Sequence, residues 1–388
     1  MKLNFLIILL AASFTLTADR TLSDHSAHEL CKLGKEYRTQ GNYQKALSCF
    51  RIANIKDPQD KEASLELALA HLACEHFNKG FELLDNHFRT FSTLEKQWHG
   101  QDLNGKRLLI HTPSWGYGDL FMFLRFAREL KNRGASIVIF ADNIIMPFAQ
   151  IQNYIGETII INNGMVNDSY FGNIVIFERS KLPVFDYETH LCSLPALMKT
   201  TAKTIPQPPY IQAEQERIDY WAKKMSCDPQ CKVGLCWNGA TRDDAQLMQR
   251  SMAFNCLKPL LEKKGCSFYN LQIGDAFRAL SKDERDSLII LDEELDKKSG
   301  AFMDTAAIIA NLDLVITVDT SIAHLAGAMA KPVFVLLPLA AEWRYGMKRC
   351  DSLWYPSMRL FRQASPGNWE RPIQEVCNAL DTLLNADC

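Results

Sequence analysis

The sequence has no large excess of charge of either sign. Its 388 residues carry a formal net charge of -2, and the sequence pI is about 6.5. A nucleic-acid-binding protein concentrates Lys and Arg on one face, and a disordered chain is poor in apolar residues. With 47% hydrophobic residues, the composition favours a globular protein that binds no nucleic acid. Its length predicts two or three domains.

Long apolar runs are rare, and the clearest one lies at the N-terminus. MKLNFLIILLAASFTLTADR has one Lys before an apolar stretch, which is typical of a secretory signal peptide. Cleavage after Ala18 would leave Leu16 at a position that prefers a small residue. Residues 1–18 are therefore predicted to be a signal peptide or an uncleaved anchor, and both alternatives stay open.

The cysteines lack the spacing of a zinc site. The densest group, Cys227, Cys231 and Cys236, has no nearby pair of histidines. Twelve cysteines could form disulfides in an exported protein, but several fall at predicted core positions. Free, buried thiols are therefore the favoured interpretation, on the evidence of Cys31, Cys49, Cys74 and Cys236.

Two ligand-binding signatures are also missing. No Asp-x-Asp occurs in the chain, so a diphosphate bridged by a divalent metal has no obvious carboxylate ligands. Gly116-Tyr117-Gly118 is not followed by the third glycine of a dinucleotide-binding loop. The sequence thus argues against a bound metal and against a nicotinamide-dependent oxidoreductase.

An internal repeat is present near the N-terminus. Small and aromatic residues recur at a shift of 34 residues, which predicts repeated helix pairs over 27–92. The pattern resembles a tetratricopeptide (TPR) unit, and two copies are fewer than independent stability requires. A partner-binding surface and a structural cap are equally open interpretations. The aligned pairs are Gly34 with Ala68, Tyr37 with His71, Tyr43 with Phe77, Ala46 with Gly80, and Phe50 with Leu84.

The rest of the chain alternates apolar strands with amphipathic helices. Residues 95–204 are predicted to form one parallel-sheet domain, with strands at 107–111, 136–140, ETIII and GNIVIFE. The Pro-rich segment 204–212 has no periodicity and predicts a linker. A second α/β domain, 213–388, has strands at KVGLCW, SFYNLQ, SLIILD, LDLVITV and PVFVLL. Two such domains leave a cleft at the carboxyl ends of their strands, where ligands bind.

A polar cluster marks one of these strand ends. The pattern predicts a strand at Leu314–Val318, Asp319 as the N-cap, and a tightly packed helix from Thr320 to Ala330. The first helix amides and the hydroxyls of Thr320 and Ser321 would form an anion site, which His324 could reach. Simple capping without a ligand is the alternative. Gly116 to Asp119 form a comparable turn in the first domain, where a positive φ or a close approach requires glycine, and where Asp119 could be a plain N-cap.

Motifs along the chain, taken in order, resemble the TPR-fused glycosyltransferases of the heptosyltransferase family (glycosyltransferase family 9). The resemblance covers residue 27 to the C-terminus and extends distantly to the protein O-GlcNAc transferases. It implies a GT-B fold, with two Rossmann-like domains facing a cleft after a short helical segment. The motifs are W-x-G-x-x-L-x-GKRLLI, GYGDLFMFLRFARELKNRGA, SLP, CWNGATRDDAQLMQRSM, FYNLQIGD, DTAAIIANLDLVITVDTSIAHLAGAMAKPVFVLL and WYPSMRLFRQ.

The resemblance implies an inverting, metal-independent transfer of a hexosyl or heptosyl group from a nucleoside-diphosphate sugar to a glycan or protein acceptor. Asp119 matches the catalytic position of the family, as a base. The nucleoside is expected at Gln272, Asp304 and Thr305, although a plain N-cap is the alternative for the last two. An ordinary turn is the alternative for Asn238 and Gly239. The donor diphosphate and sugar are expected at Asp319, Thr320, Ser321, His324, Arg250, Asn238 and Gly239.

One segment departs from the family pattern, and one rival function remains. Relatives carry Glu-Gln before the first glycine, whereas Pro113, Ser114 and Trp115 stand here. That departure leaves acceptor choice and activity open, and the rival is a catalytically inactive protein that binds a partner through its TPR segment. Localisation is open as well, because the leader suggests export or anchoring and a nucleotide-sugar donor suggests the cytoplasm.

Overall fold

The computed structural model describes residues 22, 24–90, 94–112, 116–142, 144–161, 165–168, 172–175, 183–239 and 250–386. The chain divides into two compact units. The first consists of residues 1–92 with 342–347, and the second of residues 93–341 with 348–388. The predicted leader and the Pro113–Trp115 segment lie outside the described residues.

The first unit contains the predicted repeat as two helix pairs. They are α1 (Ala27–Thr39), α2 (Tyr43–Lys56), α3 (Lys61–Ala73) and α4 (Phe77–Thr90). The first pair begins at Ala27 and the second at Lys61, which are 34 residues apart. Gly34 lets the first pair approach closely, since a Cβ there would stand 2.5 Å from the Phe50 ring. Trp343, in a 3₁₀ turn (Trp343–Tyr345), completes this unit by packing edge-on against Phe81, with ring centroids 6.0 Å apart.

The second unit contains two sheets, and the first of them is parallel. Its strands lie in the order β3 (Glu157–Ile161), β2 (Ser136–Asp142), β1 (Arg107–His111) and β6 (Tyr187–His190). Residues 172–175 do not join it, because they pair antiparallel with residues 165–168 in a separate ribbon. The predicted inclusion of GNIVIFE in the parallel sheet is therefore wrong for residues 172–175, and its last three residues lie outside the described residues. The sheet instead contains β6, which was not predicted. Its sequence YETH is polar, and its Glu188 is buried as a hydrogen-bonded carboxylate. The elements are β1 (Arg107–His111), α5 (Tyr117–Asn132), β2 (Ser136–Asp142), α6 (Met146–Gln150), β3 (Glu157–Ile161), β4 (Met165–Asp168), β5 (Gly172–Val175), β6 (Tyr187–His190) and α7 (Leu194–Leu197).

The second sheet is also parallel. Its strands lie in the order β11 (Met358–Arg362), β10 (Val333–Leu337), β9 (Leu314–Val318), β7 (Cys231–Cys236) and β8 (Cys266–Asn270). SLIILD contributes only an isolated bridge, from Ile289 to Tyr269. The edge strand β11 was not predicted, although it lies within the WYPSMRLFRQ motif. The elements are α8 (Gln215–Met225), β7 (Cys231–Cys236), α9 (Lys258–Leu261), β8 (Cys266–Asn270), α10 (Asp275–Arg278), α11 (Lys282–Asp286), α12 (Met303–Ala310), β9 (Leu314–Val318), α13 (Ser321–Ala328), β10 (Val333–Leu337), β11 (Met358–Arg362) and α14 (Glu370–Ala386).

Apolar side chains on β7, β9 and β10 build the core of the second sheet, and both β9 and β10 are buried along their whole length. Every cysteine in the described part of the chain is a free thiol. No helix formed by the described residues is long and apolar enough to cross a membrane.

Candidate functional site

The carboxyl ends of β7 and β9 meet at a buried cluster of small polar groups. The Cys236 thiol lies 3.9 Å from the hydroxyl of Thr320, and that hydroxyl lies 3.0 Å from the hydroxyl of Thr317. Burial raises the pKa of the Cys236 thiol, so it stays protonated at neutral pH. The cluster therefore joins the two strand ends without introducing a negative charge.

Gln272, which was expected to contact the nucleoside base, fixes the turn that follows β7. Its side-chain oxygen accepts hydrogen bonds from the amides of Trp237 (3.2 Å) and Asn238 (2.9 Å) and from the Cys236 thiol (3.4 Å). Its side-chain nitrogen donates to the carbonyl of Ile273. Within the described residues, the Asn238 side chain has no hydrogen-bond partner. The arrangement holds the Asn238 backbone in place, and the expected contact of its side chain with the donor stays a prediction.

Arg250 lies against the same turn. A Cβ at Gly239 would stand 2.5 Å from the Arg250 Nε, so the guanidinium passes over this glycine. The Gly239 amide donates to the Ser251 hydroxyl at 3.1 Å, which holds the Arg250 backbone near the turn. The charge of Arg250 acts on the Cys236 thiol, where it opposes the effect of burial on the pKa. A fixed cation thus lies at the edge of the cluster.

The start of α13 differs from its prediction by one residue. Thr320, with extended backbone at φ -143 and ψ 171, is the N-cap, and no side chain caps this helix. The prediction that Asp319 is the N-cap is therefore wrong. The buried carboxylate of Asp319 lies 4.0 Å from the His324 Nε2. The helix ends at Ala328, before Ala330 with φ 61. No described residue accepts a hydrogen bond from the amides of Ser321 and Ile322.

His324 connects α13 to the start of α5. Its Nδ1 lies 3.0 Å from the Tyr355 hydroxyl, and its other ring edge faces Gly118. A Cβ at Gly118 would stand 2.9 Å from the His324 Cδ2 and 3.6 Å from its Nε2. Glycine is required at position 118 because of this close approach. The contact brings the N-terminal turns of the two helices together.

Asp119 lies on α5, next to that contact. The helix begins at Tyr117 with Gly116 as its N-cap, at φ 153, so Asp119 is the third helical residue and is not an N-cap. Its backbone amide donates to the Gly116 carbonyl at 3.2 Å. The half-buried carboxylate therefore lies in the first turn, where the positive end of the helix dipole stabilises its ionised form.

Asp304 and Thr305 belong to a different network. The Asp304 carboxylate accepts from Arg217 at 3.0 Å and from the indole of Trp221 at 3.1 Å. The backbone amides of Asp304 and Thr305 both donate to the Asp296 carboxylate, and the Thr305 hydroxyl donates to it as well. This is helix capping at α12, by a residue that the sequence analysis did not consider. The expected contact with a nucleoside stays a prediction.

Four residues of the site were missed: Cys236, Ser251, Thr317 and Tyr355. Cys236 was assigned to the apolar core because it ends a strand, and Ser251 follows Arg250 directly. Tyr355 lies in the WYPSMRLFRQ motif, which contributed to the resemblance but to no predicted site. Among the described residues, no group of three or more His, Cys, Asp or Glu side chains could hold a metal ion.

Comparisons with solved structures identify the architecture. A glycosyl transferase family 9 structure from Veillonella parvula superposes with a TM-score of 0.52 at 12% identity, covering 74% of this chain and all of that one. This chain therefore shares the fold of that structure, an α/β fold of the GT-B type with two parallel sheets. The ADP-heptose heptosyltransferase II of E. coli gives a TM-score of 0.49 at 16% identity, covering 72% of this chain and 99% of that one.

Sequence comparison finds a longer protein. Protein FlbA of Caulobacter vibrioides is 27% identical over 328 residues, which cover 80% of this chain. The match spans 53% of FlbA, so it reaches only about half the length of that relative. No protein-family model matches the sequence.

Proposed function

We propose that this chain is an inverting, metal-independent glycosyltransferase that moves a sugar from a nucleoside diphosphate to a glycan or protein acceptor. The observation that carries the proposal is the contact between Gly118 and His324. It supports the proposal because Asp119 directly follows Gly118 on α5, and His324 belongs to the first turn of α13. A base and an anion-binding helix end are the two elements that such a transfer needs.

The donor side of the proposed site binds the diphosphate. The amides of Ser321 and Ile322 point from the positive end of α13, and Arg250 supplies a permanent cation. His324 and the side chain of Asn238 add polar contacts. Hydrogen bonds to a charged group each contribute about 1.5 to 3 kcal/mol, so several fixed donors can replace a metal ion. The same groups stabilise the diphosphate as it leaves.

The acceptor side depends on Asp119. Its carboxylate takes the proton of the acceptor hydroxyl while the hydroxyl oxygen forms a bond to the anomeric carbon. The bond from that carbon to the diphosphate oxygen breaks, and its electron pair leaves with the nucleoside diphosphate. Attack on the face opposite the leaving group inverts the anomeric configuration. One ionised carboxylate is sufficient for this step.

The helix pairs of the first unit would present a partner or a protein acceptor. α1 and α3 carry a network of opposite charges, in which Lys35 pairs with Glu62 and Arg38 pairs with Glu66. A structural role for these helices is the alternative. The proposal for the second unit does not depend on this choice.

The test begins with nucleotide binding. Calorimetric titration with ADP, UDP and GDP should reveal one preferred nucleoside diphosphate. Incubation with the matching sugar donors, ADP-heptose among them, should release that diphosphate, and proton NMR should show inversion at the anomeric carbon. Binding without any release would favour the inactive, partner-binding protein. Failure to bind any nucleoside diphosphate would contradict both functions.

A further inference from the structure

Tyr355 is a buried side chain of the second unit that the proposed chemistry has not used. It is 1% exposed, and its hydroxyl lies 3.0 Å from Nδ1 of His324. Its backbone amide donates to the Ser352 hydroxyl, which fixes the turn that carries it. Gly327 makes room for the ring, since a Cβ there would stand 2.7 Å from the Tyr355 ring atoms. The small residue Gly327 in α13 therefore makes room for Tyr355, which contacts His324.

A buried cation supports the Tyr355 ring. Arg125 on α5 is 1% exposed, and its guanidinium carbon lies 4.8 Å from the Tyr355 ring centroid. It donates to the Trp354 carbonyl at 2.8 Å and to the Tyr210 hydroxyl at 2.8 Å. It also donates to the carbonyls of Met122 and Pro206. Within the described residues no carboxylate pairs with Arg125, so backbone carbonyls, the Tyr210 hydroxyl and aromatic rings hold this charge.

The position of this cation favours Tyr355 as the donor to His324, and the Tyr210 hydroxyl also acts on the Tyr355 hydroxyl. A positive charge against a phenol ring withdraws electron density from its oxygen, which makes the hydroxyl a better donor and a weaker acceptor. The neighbouring Nδ1 then accepts the hydrogen bond. A neutral imidazole whose Nδ1 accepts carries its proton on Nε2. Nε2 lies on the ring edge that faces Gly118 and Asp319.

We propose that Tyr355 is a positioning residue, whose hydroxyl donates to Nδ1 of His324 and holds the imidazole with its Nε2–H toward the diphosphate of the donor. Arg125 in turn holds the Tyr355 ring. The opposite tautomer would turn a lone pair toward an anion and weaken its binding. This inference rests on the proposed function, because His324 matters only if a diphosphate binds beside it.

The chain offers a matched pair of substitutions. Tyr355→Phe removes the hydroxyl that contacts His324 and keeps the ring that packs on Arg125. Tyr269→Phe removes another buried hydroxyl of the second unit, but that hydroxyl donates to the Asp228 carboxylate at 2.7 Å and contacts neither His324 nor Arg125. Loss of one buried hydroxyl is therefore common to both variants, and the contact with His324 distinguishes them.

The experiment is a double-mutant cycle on nucleoside-diphosphate binding. Tyr355→Phe should weaken binding of the preferred nucleotide among ADP, UDP and GDP about tenfold, which corresponds to about 1.4 kcal/mol. In a His324→Ala background the same substitution should have no further effect. Tyr269→Phe should leave the affinity unchanged in both backgrounds. Equal weakening by Tyr355→Phe in both backgrounds, or no weakening at all, would overturn the proposal.

A second measurement needs no ligand. In protein labelled with ¹⁵N-histidine, the signal lost in His324→Ala identifies His324, and its two nitrogen shifts report the tautomer. We expect the proton on Nε2 in the wild type and a mixture of tautomers in Tyr355→Phe. A proton on Nδ1 in the wild type would overturn the proposal. Wild-type protein that binds no nucleotide but shows the Nε2–H tautomer would contradict the proposed function and leave the Tyr355 contact established.

Discussion

Gly118 on α5 and His324 on α13 lie so close that a Cβ at position 118 would stand 2.9 Å from the imidazole. The ring cannot move away freely, since Tyr355 holds its opposite edge. This contact joins the helix that carries Asp119 to the helix that begins with Ser321.

Gly118→Ala should impair the site more than the fold. Alanine favours the helix by up to about 1 kcal/mol relative to glycine, while its methyl group displaces the His324 ring. We expect nucleotide affinity and donor turnover to fall with little change in melting temperature. Gly367→Ala is the control, because Gly367 has φ 76 and open space around it, so backbone strain should lower stability and leave turnover intact. Unchanged nucleotide binding in Gly118→Ala would show that the ring adapts without consequence.

Asp119→Asn should separate binding from chemistry. The amide cannot take a proton from an acceptor hydroxyl, so turnover should fall by about 10²-fold or more, while nucleoside-diphosphate affinity changes little. Calorimetry and initial rates measure the two effects. Glu129→Gln, on the same helix at an exposed pair with Arg133, should change neither. Normal turnover by Asp119→Asn would assign Asp119 a structural role only.

Replacing Thr320 and Ser321 together by Ala should weaken nucleoside-diphosphate binding about tenfold or more, because the hydroxyls add donors to a charged ligand. Folding stability should fall by about 1 kcal/mol, because Thr320→Ala removes a buried hydrogen bond with Thr317, while neither side chain caps α13. Titration with ADP, UDP and GDP against wild type and double mutant measures the difference. Equal nucleotide affinities of wild type and double mutant would show that this turn starts a helix and binds no nucleotide.

Donor turnover should persist in EDTA, because the proposed site holds the diphosphate with amides, Arg250 and His324. Rates are compared before chelation, after chelation and after addition of Mn²⁺. Full loss of activity that Mn²⁺ restores would contradict the metal-independent mechanism.

The Glu188 carboxylate should make stability depend on acid pH. Burial raises its pKa, but hydrogen bonds from His111 and from the amides of Lys96 and Glu95 outweigh burial and lower the pKa from 4.5 to about 2. Since the folded-state pKa is depressed, the stabilisation is complete above pH 4.5 and is lost as pH falls toward 2. It amounts to on the order of 3 kcal/mol.

Glu188→Gln should therefore lower the free energy of unfolding at neutral pH and flatten its acid dependence. Chemical denaturation between pH 7 and pH 2 is the measurement. Glu157→Gln is the control on the same sheet, because its carboxylate is exposed and its pair with Arg107 should contribute at most about 1 kcal/mol. Parallel pH profiles for wild type and Glu188→Gln would contradict the assignment.

The local sequence pattern predicts an element well when its buried positions are occupied by apolar residues. β1 and β9 have the predicted bounds, because each is a continuous apolar run ended by polar residues. β6 escaped prediction for the opposite reason: its central Glu188 is buried through hydrogen bonds to distant residues. A strand stabilised by long-range polar contacts has no local apolar signature.

The candidate site shows the same division. The polar cluster at Asp319 to Ser321 was visible because it interrupts two apolar elements. The orientation of Gln272 and the pairing of His324 with Tyr355 depend on residues more than thirty positions away. The two glycines of GYGD were expected to adopt a positive φ or to allow a close approach. Gly116 does the first and Gly118 the second, although the approaching group is His324 and not a ligand.

The turn Trp343–Tyr345 affects the order in which the chain can fold during synthesis. The helices α1 to α4 leave the ribosome early, but the aromatic side chain that packs on Phe81 is made more than 250 residues later. The first unit therefore stays incomplete until most of the chain has been translated. A fragment that ends after α4 would lack this contact, and a fragment that begins after α4 would expose Trp343.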